Sequence, residues 1–180
     1  MKKSLIIIDV QKHLINENTK ILPVKIASFL KDNAKIFDYI VFFKFQNQPG
    51  SNWFKVLNWQ KMTSEPETEI APELIPYTKN ALVYTKKAAF SIFRVKEFVQ
   101  LLDKEDISQL YICGMDTHAC VYTSTMEAFE RGYNVKVIID LCAASHGLEY
   151  HQNAINSLKS NLSRKILTSS EEIDSTFQVE

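Results

Sequence analysis

Short, nearly unbroken apolar runs alternate with stretches of helical periodicity along almost the whole chain. This alternation restricts the fold more than any other feature of the sequence. The runs at 5–9, 40–43, 81–85, 109–113, 135–140 and 165–167 are too short for helices and too apolar for strands with one wet face. They predict strands buried on both sides of a mostly parallel sheet. Between them, 24–35, 95–102, 119–131 and 149–162 carry apolar residues at helical spacing. Gly132 stands where a helix stop belongs, and Ser169-Ser170-Glu171-Glu172 resembles a helix start with acids in its first turn. Strands alternating with helices imply right-handed β-α-β units. The expected fold is a three-layer α/β/α sandwich around a mostly parallel six-stranded, Rossmann-like sheet. At 180 residues, one domain over 1–180 is expected.

Residues 47–73 break the rhythm. The segment holds Pro49-Gly50, Pro66, Pro72 and both tryptophans, Trp53 and Trp59. Long irregular segments inside compact domains are functional or disordered, and two Trp with Phe54 argue against disorder. Two readings remain: an ordered insertion covering one edge of a pocket, or aromatic packing for stability alone.

Charge and cysteine usage narrow the function classes. Lys plus Arg is 21 and Asp plus Glu is 21, so no basic excess exists to neutralise a phosphate backbone, and nucleic acid is an unsuitable partner. Cys113, Cys120 and Cys142 form an odd set without C-x-x-C spacing. A disulfide scaffold and a cysteine zinc site are disfavoured, and a reducing, cytoplasmic setting is expected. The apolar start ends at Asp9, too early for a signal segment or a membrane span.

Ligands of open α/β sheets bind beyond the carboxyl ends of the strands. Asp9 closes the first run, Lys86 and Lys87 close the third, and Cys120 follows the fourth where a helix begins. A carboxylate, an ammonium and a thiol would then converge. A helix N-terminus and a nearby ammonium both favour thiolate, Asp9 can carry the thiol proton, and the strand-to-helix turn offers amides to an oxyanion. That is equipment for acyl transfer through a thioester.

Three stretches carry a family resemblance. Ile6-Ile7-Ile8-Asp9-Val10-Gln11, Lys87-Ala88-Ala89-Phe90-Ser91-Ile92-Phe93 and Cys113-Gly114-Met115-Asp116-Thr117-His118-Ala119-Cys120-Val121 are similar, in order, to segments of the isochorismatase-like cysteine hydrolases. Ala128-Phe129-Glu130-Arg131-Gly132-Tyr133 and Asp140-Leu141-Cys142-Ala143-Ala144 extend the resemblance. It implies Asp9 as general base and acid, Lys87 as electrostatic partner and Cys120 as nucleophile. Lys87 is chosen by its offset from Ser91 and Phe93, leaving Lys86 as a solvated neighbour. The resemblance further implies a cis Met115–Asp116 peptide, an oxyanion site at the Asp116 and Cys120 amides, and a homo-oligomer.

Departures from the family pattern refine the activity. Nicotinamidases of this family carry an Asp-x-His metal motif after the second strand, followed by a further His. Phe42-Phe43-Lys44-Phe45-Gln46-Asn47-Gln48 offers neither residue type, so no metal or other cofactor is expected. Isochorismatases proper lack the cysteine. The expected activity is therefore metal-free hydrolysis of a C–N bond in a small amide, ureide or carbamate. The alternatives are a non-catalytic binding protein on the same fold and a vinyl-ether hydrolase. Gln46, Asn47, Trp53, Phe90 and Met115 are expected by position to line the substrate pocket. His118 is not expected to act as a base. For His13, His146 and His151 two readings stand: contact with substrate or, preferred, surface placement. Cys113 and Cys142 are expected to be packing thiols.

Overall fold

A computed structural model describes residues 1–177, with side chains through residue 173. The strands are β1 (Lys2–Ile8), β2 (Tyr39–Gln46), β3 (Leu82–Lys87), β4 (Ile107–Gly114), β5 (Asn134–Cys142) and β6 (Leu167–Thr168). They form one parallel sheet in the order β3-β2-β1-β4-β5-β6, with helices on both sides. The helices are α1 (Leu22–Asn33), the one-turn α2 (Asn52–Lys55) and α3 (Ile75–Thr78), α4 (Lys96–Lys104), α5 (Tyr122–Glu130), α6 (Leu148–Asn161) and α7 (Ser170–Phe177). Among the described residues no helix is long and apolar enough to cross a membrane.

β1 is central because its side chains can face protein on both sides. Leu5, Ile6, Ile7 and Ile8 are fully buried, as continuous apolar runs in parallel sheets should be. Ile8 pairs with Phe43 of β2 on one side and with Gly114 of β4 on the other. The strand order reverses direction here, β2 lying to one side of β1 and β4 to the other. The crevice beyond the carboxyl ends at such a switch point is where this architecture receives ligands. On one flank Phe98 of α4 meets Phe43 edge to face, at 4.9 Å and 88°, a geometry that adds about 0.5–1.5 kcal/mol beyond burial.

Two strands differ from the sequence reading. The 81–85 run becomes β3, which includes both lysines and lies at the sheet edge, leaving Leu82 and Val83 exposed. An edge strand lacks one neighbour, so its apolar residues need not be covered. At the other edge, Arg164–Ile166 form a 3₁₀ turn and only Leu167–Thr168 pair with β5.

At Gly114, β4 comes very close to the backbone of β1. The glycine has φ +115°, and a Cβ there would stand 2.2 Å from the Ile8 carbonyl oxygen. The next amide, Met115 N–H, donates to that same oxygen at 2.7 Å. A side chain would push β4 off β1 and separate the residues that follow each strand. Gly114→Ala is therefore expected to lower unfolding free energy by at least about 3 kcal/mol. Urea unfolding checks this; an unchanged midpoint would contradict it.

Candidate active site

Asp9 follows β1 directly and turns out of the strand at φ +55°. That left-handed conformation is costly for a non-glycine residue and persists here because the neighbouring backbone is tied. Asp9 N–H donates to Phe43 O at 2.9 Å, and Gln11 N–H to Asp9 O at 2.8 Å. Gln11 is itself fully buried. Its Nε2 donates to Phe45 O and Thr68 O, and its Oε1 accepts from Phe45 N–H. One side chain thus fastens β1, β2 and the 47–73 segment together.

The ammonium that meets Asp9 belongs to Lys86, correcting the choice of Lys87. Lys86 is fully buried, and its Nζ lies 2.7 Å from Asp9 Oδ2. The same Nζ donates to Phe90 O at 3.1 Å and Ala89 O at 3.3 Å. Three acceptors match the three N–H donors of an ammonium, and the Phe45 ring lies 5.8 Å away. Lys87 is exposed. Adjacent strand residues face opposite sides, so only one of the pair can point inward. The offset from Ser91 miscounts by one residue, because the chain leaves β3 with Ala88 at φ +43°. The loop is then secured by Ser91 Oγ to Glu127 and by Ile92 N–H to Ser124 Oγ.

Cys120 sits in one turn of π-helix, Thr117–Val121, that leads into α5. The turn is anchored to the loop after β5. Thr117 N–H donates to Ala143 O at 3.0 Å, and the Asp116 carboxylate accepts from Ser145 N–H and Oγ at 2.7 Å each. The Met115–Asp116 peptide is cis. Cys120 is buried but reaches the cavity, and it interacts with both Asp9 and Lys86. Asp9 Oδ1, the carboxylate oxygen that Lys86 does not engage, is buried and has no hydrogen-bond partner among the described residues.

The electrostatics differ from the expectation of a ready thiolate. Burial pushes the Cys120 thiol well up, and the Asp9 charge adds to that, while Lys86 pulls the other way. Desolvation wins, so the resting sulfur is a thiol that needs a base. Burial likewise raises the Asp9 carboxyl against the pull of Lys86. For Lys86, burial disfavours the ammonium, yet the charges of Asp9 and Cys120 hold it above its ordinary value. Burial pushes Cys142 up to about 12 and raises Cys113 too; both thiols are buried.

Asp9 and Cys120 open onto a cavity of about 760 Å³, the size range of small-molecule sites. One wall is aromatic: Trp53 lies 4.8 Å from Phe90 and 5.3 Å from Phe45, and Trp59 lies 5.9 Å from Phe45, between ring centroids. Trp53 and Phe90 line the cavity as expected; Gln46, Asn47 and Met115 do not. Gln46 donates to Thr63 O, and Asn47 braces its own segment through Trp59 O, Lys61 O, Gln48 N–H and Ser51 Oγ. Met115 is fully buried in the core. Phe45, Trp59, Met62 and Ser145, which do line it, went unrecognised. For Trp59 and Met62, aromatic and apolar enrichment of an irregular segment was the available signal. His13, His118 and His146 also reach the cavity, whereas His151 accepts or donates at Thr117 Oγ1, 2.8 Å away.

The chain is thus a parallel α/β sheet with a carboxylate, an ammonium and a thiol gathered at its switch point. Residues 3–172 match the isochorismatase domain, and the chain belongs to the isochorismatase family. It is similar to isochorismatase domain-containing protein 2 from Xenopus laevis, 30% identical over 61 residues, covering 34% of this chain and 29% of that protein. The Bos taurus protein of that name is 24% identical over 130 residues, covering 69% and 63% respectively. The chain thus spans less than two thirds of these relatives. An isochorismatase-like hydrolase from Alkaliphilus metalliredigens superposes with TM-score 0.84 at 16% identity, covering 98% of this chain and 100% of that one. N-carbamoylsarcosine amidase from Thermoplasma acidophilum superposes at 0.79 and 17% identity, covering 96% and 98%.

The two lysines separate cleanly by experiment. Lys86→Met leaves Asp9 buried and unpaired and is expected to cost about 3–5 kcal/mol. Lys87→Ala should change stability by no more than about 0.5 kcal/mol. Paired thermal melts decide between them; equal losses would refute the assignment.

Proposed function

We propose that this chain is a cysteine hydrolase that cleaves the C–N bond of a small amide, ureide or carbamate. The observation that carries the reading is the fully buried Lys86–Asp9 pair beside Cys120 at the cavity. Burying two charges is expensive, and a binding pocket has no use for that cost. The amidase among the fold neighbours supports the same direction.

Cys120 Sγ attacks the substrate carbonyl carbon while its proton passes to Asp9 Oδ1. The developing oxyanion takes hydrogen bonds from the Asp116 and Cys120 amides. The C–N bond then breaks, Asp9 returns the proton to the leaving nitrogen, and ammonia or an amine departs. An acyl-cysteine thioester remains. Water gives a proton to Asp9 and adds to the thioester carbonyl; the acid leaves and the sulfur recovers the proton. Lys86 keeps Asp9 in register and stabilises negative charge wherever it resides, on carboxylate or sulfur.

Ammonia release, measured across primary amides, ureides and carbamates, tests the activity. At least one class should turn over, with an acyl adduct on Cys120 seen by intact mass, and Cys120→Ala should abolish both. Turnover that survives Cys120→Ala would overturn the reading.

Asp9 acts as the base only when ionised, and burial raises its pKa. Activity should therefore fall as pH drops through a value above the ordinary carboxylate pKa of about 4. Asp9→Asn should cost about 10²–10⁴-fold in kcat/KM. The same variant removes a charge that raises the thiol pKa and leaves the Lys86 charge that lowers it. The Cys120 thiolate absorbance should consequently appear at lower pH than in the parent, and at higher pH in Lys86→Met. The reverse order would contradict the arrangement.

A further inference from the structure

Asp116, His118 and His146 each present a ligand atom within 4.8 Å of the others, and all three line the cavity that Cys120 enters. They come from two loops that are already fastened to each other. Ser145 holds the Asp116 carboxylate with its amide and hydroxyl, at 2.7 Å each. The Ser145 hydroxyl lies 3.3 Å from His146 Nδ1. The Ser145 carbonyl in turn accepts from Asn16 Nδ2 and Asn18 Nδ2, at 3.0 Å each. The His118 and His146 rings meet edge to face at 5.1 Å and 84°, and Tyr150 packs on both at 5.2 Å. His118 Nδ1 is shielded from solvent and has no hydrogen-bond partner among the described residues. A buried, unpaired ring nitrogen is costly and is satisfied by a cation or a ligand donor.

We propose that Asp116, His118 and His146 form a divalent transition-metal site in the wall of this cavity. Two imidazoles and one carboxylate are a zinc-type donor set that leaves a coordination position open. A tetrahedral ion with bonds of about 2.0 Å needs donors about 3.3 Å apart. Ring rotation would bring the three groups to that spacing, and His146 is the most exposed of them. Ser145 is the outer partner that orients the carboxylate ligand. The location is distinct from the end of β2, where Lys44, Phe45, Gln46 and Asn47 supply neither carboxylate nor imidazole. Because all three ligands line the cavity, the open position faces a bound small molecule. The ion would grip an oxygen or nitrogen of the substrate outside the scissile bond, which selects substrates carrying a second donor group. No bond is made or broken at the ion, so the site stands apart from the thiol chemistry.

Zinc titration of the chelator-treated protein by calorimetry tests the site. One equivalent of Zn²⁺ should bind per chain, and Co²⁺ should give the visible spectrum of a nitrogen–oxygen tetrahedral site without a thiolate charge-transfer band. Affinity should fall at least about 100-fold in His118→Asn and His146→Asn and about 10–100-fold in Ser145→Ala. Cys120→Ser should bind like the parent. Absence of saturable binding, binding indifferent to both histidine variants, or binding lost only in Cys120→Ser would overturn the proposal. Thermal melts of each variant establish that the fold is retained. The readout is binding, so failure to find a turned-over amide leaves its outcome unaffected.

Discussion

The Lys86–Asp9 ion pair is the interaction around which this molecule is organised. Both residues are almost wholly buried, so each loses a hydration free energy of several kcal/mol. The loss is offset only because the geometry is complete. The ammonium has three acceptors, Asp9 Oδ2 and the carbonyls of Ala89 and Phe90. Those carbonyls lie in a loop pinned by Ser91, Ser124 and Glu127. The edge strand β3, which otherwise exposes its apolar residues, contributes its one buried side chain here.

The same desolvation that makes the pair costly sets the chemistry. In water an ammonium beside a thiol would favour thiolate. Inside this site burial dominates, so Asp9 and Cys120 both hold protons more tightly than usual. A carboxylate with raised basicity facing a neutral thiol can take a proton and give it back, which simple electrostatic activation of sulfur does not provide. The close backbone approach of Gly114 to Ile8 holds together the ends of β4 and β1, which Cys120 and Asp9 follow.

The cavity has two unlike walls. The 47–73 segment supplies Trp53, Trp59 and Met62, while the turn after β4 and the loop after β5 supply Asp116, His118, Ser145 and His146. Gln11 and Asn47, polar residues at buried positions, act as the fasteners of the first wall. Ser145 is the fastener of the second.

The sequence by itself determined the alternation of strands and helices, the placement of Asp9 and Cys120 after central strands, and the family to which the chain belongs. These are local properties: apolar runs, helical spacing and short motifs survive in one dimension. Tertiary structure decided between Lys86 and Lys87, because that choice is one of strand parity, and a one-residue shift reverses the face a side chain occupies. It also decided the cavity lining. Gln46 and Asn47 have the composition of ligand-binding residues but are consumed by backbone partners, and Met115 points into the core. The meeting of His118 with His146 depends on how the loop after β5 folds back onto the turn after β4. Residues far apart in the chain become neighbours only when hydrogen bonds such as those of Ser145 close that distance.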